Sequence, residues 1–174
     1  MNTDRLKAAE AAFLSRYPEG FDDPGLAAVR KRHDVGRLSE FAGENLQPSL
    51  FSKPDHVLKT VERIVGRSSM VSRFEKPRFR EFVTALAGHE KDFFVQALSQ
   101  RLFGPDHEQG FTALVSMLAG YGAAKWPVVS AVPFYFAPNS EAFVKPTTAK
   151  RVIAFLEVEG LTYAPRPNLS LIHI

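Results

Sequence analysis

The residues best suited to chemistry in this sequence form a basic stretch from Lys59 to Arg80. This stretch holds seven basic residues and only two acidic ones, Glu62 and Glu75. The planar fork of arginine donates paired hydrogen bonds to phosphates and carboxylates. We therefore expect the stretch to bind an anionic partner. The candidate binding residues are Arg63, Arg67, Arg73, Lys76, Arg78 and Arg80.

Two aromatic residues, Phe74 and Phe79, lie among these cations. Cations with interleaved aromatic rings are typical of surfaces that stack on single-stranded bases. Nucleic acid is therefore the first partner that the pattern predicts, through salt-sensitive contacts to phosphates, and an acidic protein or a small anion is the second. The alternative is a solvated loop and helix edge with both phenylalanines in the core.

A second candidate site combines Lys125, which lies in an apolar run, with the predicted helix start at Thr147 or Thr148. The lysine either extends along the apolar surface to reach water or is desolvated, which would lower its pKa and suit it to act as a base or nucleophile. A threonine at the helix start either caps the helix without a ligand or helps to hold an anion. This alternative function is that of an enzyme or a small-anion-binding protein. The pocket would comprise Tyr121, Lys125, Trp126, Lys145, Thr147 and Thr148.

Other functional motifs are missing from the sequence. There is no cysteine, which excludes zinc ribbons, thiol chemistry and iron–sulfur clusters. Glycine-rich phosphate-binding loops and the Gly-x-Ser-x-Gly nucleophile motif are also absent. The pairs His89-Glu90 and His107-Glu108 could form a metal site only if two helix starts met. We therefore predict no catalytic residue, no metal and no cofactor, and favour a binding or accessory protein over an enzyme.

Composition indicates one ordinary globular domain. The chain has 174 residues, of which 45% are hydrophobic and 24% charged, and its net charge of +3 is too small to identify a partner. The polar first 16 residues predict a cytoplasmic protein. In the apolar segment 111–136, the uncharged run before Lys125 has 14 residues. A membrane-spanning helix needs about 20, so we expect a buried helix pair and no membrane partner.

The spacing of apolar residues predicts an all-α fold of about eight helices, arranged as an orthogonal bundle in a single domain over residues 1–168. We expect Thr3 to cap the first helix and Asp106 a later one. At most one short extended segment is predicted, near 142–145 or 161–164. The expected helices cover 4–17, 24–33, 34–45, 54–65, 77–87, 89–103 and 106–121, one starting at 125–127, and 147–157.

Two further features concern the origin of the sequence. The segments MVSRFEKPRFR, KWP and FVKPTTAK together resemble uncharacterised bacterial proteins of similar size, over about residues 70–151. This resemblance implies no function and no site residue. The terminal LSLIHI, residues 169–174, resembles a translated sequencing-adapter tail and is predicted to be non-native. The alternative is a short apolar tail that docks on the core.

Overall fold

The fold is an all-α multi-helix bundle, as predicted. The computed structural model describes residues 1–168, so the segment predicted as a non-native tail lies outside the described residues. Within the described residues there are nine α-helices and no strand. The α-helices are α1 (Thr3–Arg16), α2 (Ala27–His33), α3 (Val35–Asn45), α4 (Pro54–Arg67), α5 (Glu75–Ala85), α6 (Gly88–Phe103), α7 (His107–Gly120), α8 (Trp126–Phe136) and α9 (Pro146–Phe155). Short 3₁₀ helices cover Gly20–Asp22, Pro24–Leu26 and Pro48–Ser52.

Polar caps explain several helix starts. The Asp106 carboxylate accepts from the backbone N–H of Gln109 at 2.8 Å, as predicted. The cap of α1 is one residue earlier than predicted, because the side chain of Asn2, not that of Thr3, accepts from the backbone N–H of Arg5.

The prediction that Thr147 or Thr148 caps the last helix is wrong. The N-cap residue of α9 is Lys145, which makes no side-chain capping bond. Pro146 takes the first helical position, where its fixed φ and missing N–H are well tolerated. Both threonines therefore lie inside the first turn and are exposed.

The two segments considered as extended, 142–145 and 161–164, form no strand. The backbone N–H of Val144 donates to the buried hydroxyl of Ser130 on α8, at 3.0 Å. Because a side chain satisfies this amide, the segment needs no neighbouring strand.

Helix α8 forms the centre of the core. Nine of its 11 residues are buried, and it packs against α3 and α4. A helix that is apolar on all sides is stable only when other helices surround it. None of the helices within residues 1–168 is both long and apolar enough to cross a membrane.

Helices α6 and α7 approach each other closely at Gly110. A Cβ atom on this glycine would lie 2.7 Å from the carbonyl oxygen of Ala97 and 2.9 Å from the Cα of Arg101, both on α6. Carbon atoms in contact normally lie about 3.5–4.0 Å apart. Only a residue without a side chain therefore fits at this crossing.

A buried ion pair lies close to the same crossing. The Arg101 side chain is only 3% exposed, and its Nη2 lies 2.6 Å from a carboxylate oxygen of Glu141, which follows α8. Its Nε has no hydrogen-bond partner among the described residues. The Glu141 carboxylate is therefore the charge that balances a guanidinium held away from water.

A buried hydroxyl pair joins α8 to the end of α4. The Tyr135 hydroxyl lies 3.0 Å from the Ser68 hydroxyl, which also accepts from the backbone N–H of Met70. Burial raises the pKa of Tyr135, and the charge of Asp34 adds to this, while the Ser68 hydrogen bond opposes it. The fold therefore favours the neutral phenol over the phenolate.

We expect Tyr135→Phe to lower the free energy of unfolding at neutral pH by about 1 kcal/mol, because one hydrogen bond is lost. Because the pKa of Tyr135 is higher in the folded state than in the unfolded state, the neutral phenol stabilises the fold. This stabilisation is fully present below the ordinary tyrosine pKa near 10 and is lost as the pH rises further. The wild type should therefore lose more stability than the variant between pH 7 and about pH 11. Urea unfolding at both pH values measures this, and equal losses would contradict a buried phenol.

The helices near the two ends of the described chain are more loosely attached. Helices α1, α2 and α9 bury none of their own residues. The start of α1 is bound to the end of α9, where Arg5 pairs with Glu157 at 2.8 Å and the Asn2 backbone N–H donates to the Leu156 carbonyl at 2.6 Å. The main core therefore lies between Leu38 and Val144.

Candidate nucleic-acid interface

The structure distributes the six predicted basic residues over three places. Arg63 and Arg67 line a hollow between α3 and α4. Arg80 pairs with Glu62 of α4, with 3.1 Å between Nε and the carboxylate. The remaining three lie at the start of α5: Arg73, Lys76 and Arg78.

The turn before α5 is held by two reciprocal hydrogen bonds between side chains and backbone. The Ser72 hydroxyl accepts from the backbone N–H of Phe74 at 3.2 Å. In return, the Glu75 carboxylate accepts from the backbone N–H of Ser72 at 3.0 Å. This arrangement satisfies two amides that a helix start leaves without partners. It also holds the intervening residues, Arg73 and Phe74, in one turn.

That turn points one aromatic ring to the solvent. Phe74 is 72% exposed, whereas Phe79 is 2% exposed and belongs to the core. The guanidinium of Arg73 lies 4.8 Å from the centre of the Phe74 ring. The alternative in which both phenylalanines lie in the core therefore holds only for Phe79.

A tight turn after α7 brings a fourth cation to this place. The backbone N–H groups of Gly122 and Ala123 donate to the carbonyls of Ala119 and Leu118, and Gly122 has a φ of +66°. This is a Schellman motif, whose left-handed position favours glycine. The turn leads directly to Lys125, the N-cap residue of α8.

A hollow of about 170 Å³ connects the two turns. Phe74, Arg78, Gly122 and Lys125 are among the residues that line it. The Arg78 guanidinium lies beside Gly122, since a Cβ there would be 3.7 Å from its Nη1. We call Arg73, Phe74, Arg78 and Lys125 the Phe74 patch.

The cations of the Phe74 patch form no direct ion pair within the described residues. Among residues 1–168, no carboxylate lies within 4.0 Å of a charged nitrogen of Arg73, Arg78 or Lys125. Glu75 also lines the hollow, but one of its oxygens is bonded to the Ser72 amide. The patch therefore presents three cations and one exposed aromatic face to the solvent.

The second predicted pocket does not form as one site. Lys125 is exposed, which favours the alternative of a lysine that reaches water. Trp126 is buried, and its indole N–H donates to the Ala164 carbonyl at 2.8 Å. The Tyr121 ring packs edge-on against Phe82, with 5.2 Å between the ring centres. Lys145, Thr147 and Thr148 are exposed and do not line the hollow beside Lys125.

The two histidine–glutamate pairs are used for local structure. Glu90 accepts from the backbone N–H of Ala87 at 2.8 Å, and Nδ1 of His107 lies 2.7 Å from the Arg101 carbonyl oxygen. In the part of the chain that the structure describes, no three histidine or acidic side chains form a group that could hold a metal ion.

Sequence reasoning missed two contacts between distant residues. Nδ1 of His33 lies 2.8 Å from the Ser69 hydroxyl, 36 residues away. Arg78 and Lys125 line the same hollow although a whole helix pair separates them in sequence. No periodicity or motif links these residues, so only the packing of the helices reveals the contacts.

No protein-family model, no curated protein and no solved structure matches the chain. The function must therefore be argued from the site geometry.

Proposed function

We propose that this protein binds single-stranded nucleic acid through the Phe74 patch. The observation that carries the proposal is the exposure of Phe74, 72%, among three cations that form no ion pair within residues 1–168. Exposure of an apolar ring to water is unfavourable, so a ligand that covers the Phe74 ring gains binding free energy from the buried area. A base that stacks on the ring is such a ligand.

The neighbouring cations suit the rest of a nucleotide. Arg78 and Lys125 line the hollow beside the ring, where phosphates on either side of the stacked base would lie. Arginine forms paired hydrogen bonds with phosphate, and lysine contributes a point charge. This favours nucleic acid over an acidic protein, because an aspartate or glutamate side chain has no aromatic ring to stack on Phe74.

A single strand fits the patch better than a duplex. Bases in a duplex are already stacked on one another, and their faces are not accessible to a side chain. A single strand offers each base face at low cost. Binding is expected to be weakly sequence-dependent, because every base can stack.

We expect a labelled oligothymidine of about 12 nucleotides to bind more tightly than a duplex of the same length. Phe74→Ala should weaken the binding about 5- to 150-fold, since stacking contributes about 1–3 kcal/mol per base. Replacing Arg78 and Lys125 together by glutamine should flatten the dependence of log K on log salt by about 1.4, or 0.7 for each phosphate contact. Fluorescence anisotropy over a salt series measures all three effects.

Two matched variants serve as controls. Arg80→Gln removes a cation that is already paired with Glu62, and Phe21→Ala removes a phenylalanine that is 79% exposed elsewhere. Both should bind nearly as the wild type does. The proposal is wrong if the folded wild type shows no saturable binding at low salt, or if the controls weaken binding as much as Phe74→Ala. Preferential binding of a polyglutamate peptide would identify the acidic-protein alternative instead.

A further inference from the structure

A second polar hollow lies between α3 and α4, lined by residues outside the Phe74 patch. Its volume is about 460 Å³, enough for a small organic molecule. The lining combines apolar side chains with charges of both signs. Its main members are Arg37, Leu38, Phe41, Glu44, Arg63 and Arg67.

The two helices run in opposite directions along the hollow. At one end, His33 contacts Ser69, two residues beyond α4. At the other end, Nε2 of His56, near the start of α4, lies 3.2 Å from the Asn45 carbonyl oxygen at the end of α3. The start of α3 therefore lies beside the end of α4.

This orientation places two arginines at one end of the hollow and Glu44 at the other, with Glu40 between them. Arg37, near the start of α3, and Arg67, at the end of α4, share one end. Glu44 lies near the end of α3, seven residues after Arg37. At 1.5 Å of rise per residue, the backbone positions of Arg37 and Glu44 are about 10 Å apart along the helix axis. Leu38 and Phe41 lie between them.

The charges in the hollow are mostly without direct partners. Among the described residues, no carboxylate lies within 4.0 Å of a charged nitrogen of Arg63 or Arg67. Likewise, no basic nitrogen lies within 4.0 Å of the Glu40 or Glu44 carboxylate. Arg37 lies 3.8 Å from Asp34, which also belongs to the wall and reduces the positive charge at that end.

The Arg63 guanidinium stacks over the Phe41 ring at 4.2 Å from its centre. Such stacking fixes the position of the guanidinium and leaves its edge to donate hydrogen bonds. The middle of the hollow therefore offers an apolar floor beside an oriented donor group.

We propose that the hollow binds a small zwitterion whose opposite charges are about 8–10 Å apart. Its carboxylate contacts Arg37 and Arg67, its ammonium group contacts Glu44, and its methylene chain packs on Leu38 and Phe41. A molecule with only one charged group can form ion pairs at only one end of the hollow. This site is independent of the Phe74 patch, so either proposal can fail without the other.

Isothermal titration calorimetry with a series of ω-amino acids tests the proposal. The probes are 6-aminohexanoate, 4-aminobutanoate and glycine, which share both charged groups but differ in their separation. We expect saturable binding that is tightest for 6-aminohexanoate and weaker for each shorter probe. Hexanoate and hexylamine, which each carry one of the charges, should bind about tenfold more weakly than 6-aminohexanoate.

Variants locate the site. Arg67→Gln and Glu44→Gln should each weaken the binding of 6-aminohexanoate about tenfold. The controls Arg80→Gln and Glu62→Gln change the same charges in the exposed pair between α4 and α5, and should leave the binding unchanged. The proposal is overturned if 6-aminohexanoate does not saturate, if hexanoate binds equally well, or if the controls weaken binding as much as the site variants do. Circular dichroism confirms that each variant is folded.

Discussion

Replacing Gly110 by alanine is expected to lower the free energy of unfolding by about 3 kcal/mol or more. The added Cβ would lie 2.7 Å from the Ala97 carbonyl oxygen and 2.9 Å from the Arg101 Cα. Both are backbone atoms of α6, so no side chain can rotate to make room. Helices α6 and α7 must therefore move apart, which loosens the packing of the side chains at their interface. Urea unfolding followed by circular dichroism measures the loss.

A second glycine provides the matched control. Gly43 lies inside α3, and a Cβ there would meet nothing within 4 Å. Alanine is the better helix former, so Gly43→Ala should stabilise the protein by about 0.5–1 kcal/mol. Equal effects of the same substitution at both positions would contradict the close crossing of α6 and α7.

Removing the Glu141 carboxylate is expected to have the other large effect. In Glu141→Ala, the Arg101 guanidinium stays buried, with 3% of its side chain exposed, and loses the oxygen that lies 2.6 Å from its Nη2. An uncompensated buried charge destabilises a fold by about 3–5 kcal/mol. Thermal and urea unfolding of the variant measure this cost.

A double variant separates the charge effect from a simple loss of packing. Arg101→Met combined with Glu141→Ala removes both charges, and should be more stable than Glu141→Ala alone, because an apolar side chain is not penalised by burial. The exposed pair gives the comparison: Glu62→Ala breaks the contact with Arg80 and should cost about 0–1 kcal/mol. If Glu141→Ala costs no more than Glu62→Ala, the Arg101 charge is not confined as the structure indicates.

The fold class and most helices were predictable because they depend on local signals. Apolar spacing marked the helices, and Asp106 capped α7 as expected. The errors arose where two local signals competed. Thr147 or Thr148 was expected to cap α9, but Pro146 already takes the first helical position and Lys145 is the N-cap residue. The helix expected over 54–65 continues through Gly66 to Arg67, since glycine at an exposed helix position costs only about 1 kcal/mol.

The candidate site was only partly predictable. The basic stretch included Arg73 and Arg78, but its spacing could not distinguish Phe74 from Phe79. Phe74 lies in the turn before α5 and is exposed, whereas Phe79 lies within α5 and packs in the core. Lys125 was assigned to another pocket. Its place beside Arg78 depends on how the turn at Gly122 packs on α5, which is a tertiary contact with no counterpart in the sequence pattern.

The weak burial of α1 has a consequence for the dynamics of the chain. Helix α1 buries none of its residues, and such a helix can open locally at little cost in free energy. Helix α9 differs, since Ala149 and Ile153 pack against the core. The attachment of α1 is concentrated near its first turn, at Asn2 and Arg5. One local opening event there releases α1 from α9. We therefore expect the amide hydrogens of α1 to exchange with solvent faster than those of the central helices, through a local opening that leaves the core folded.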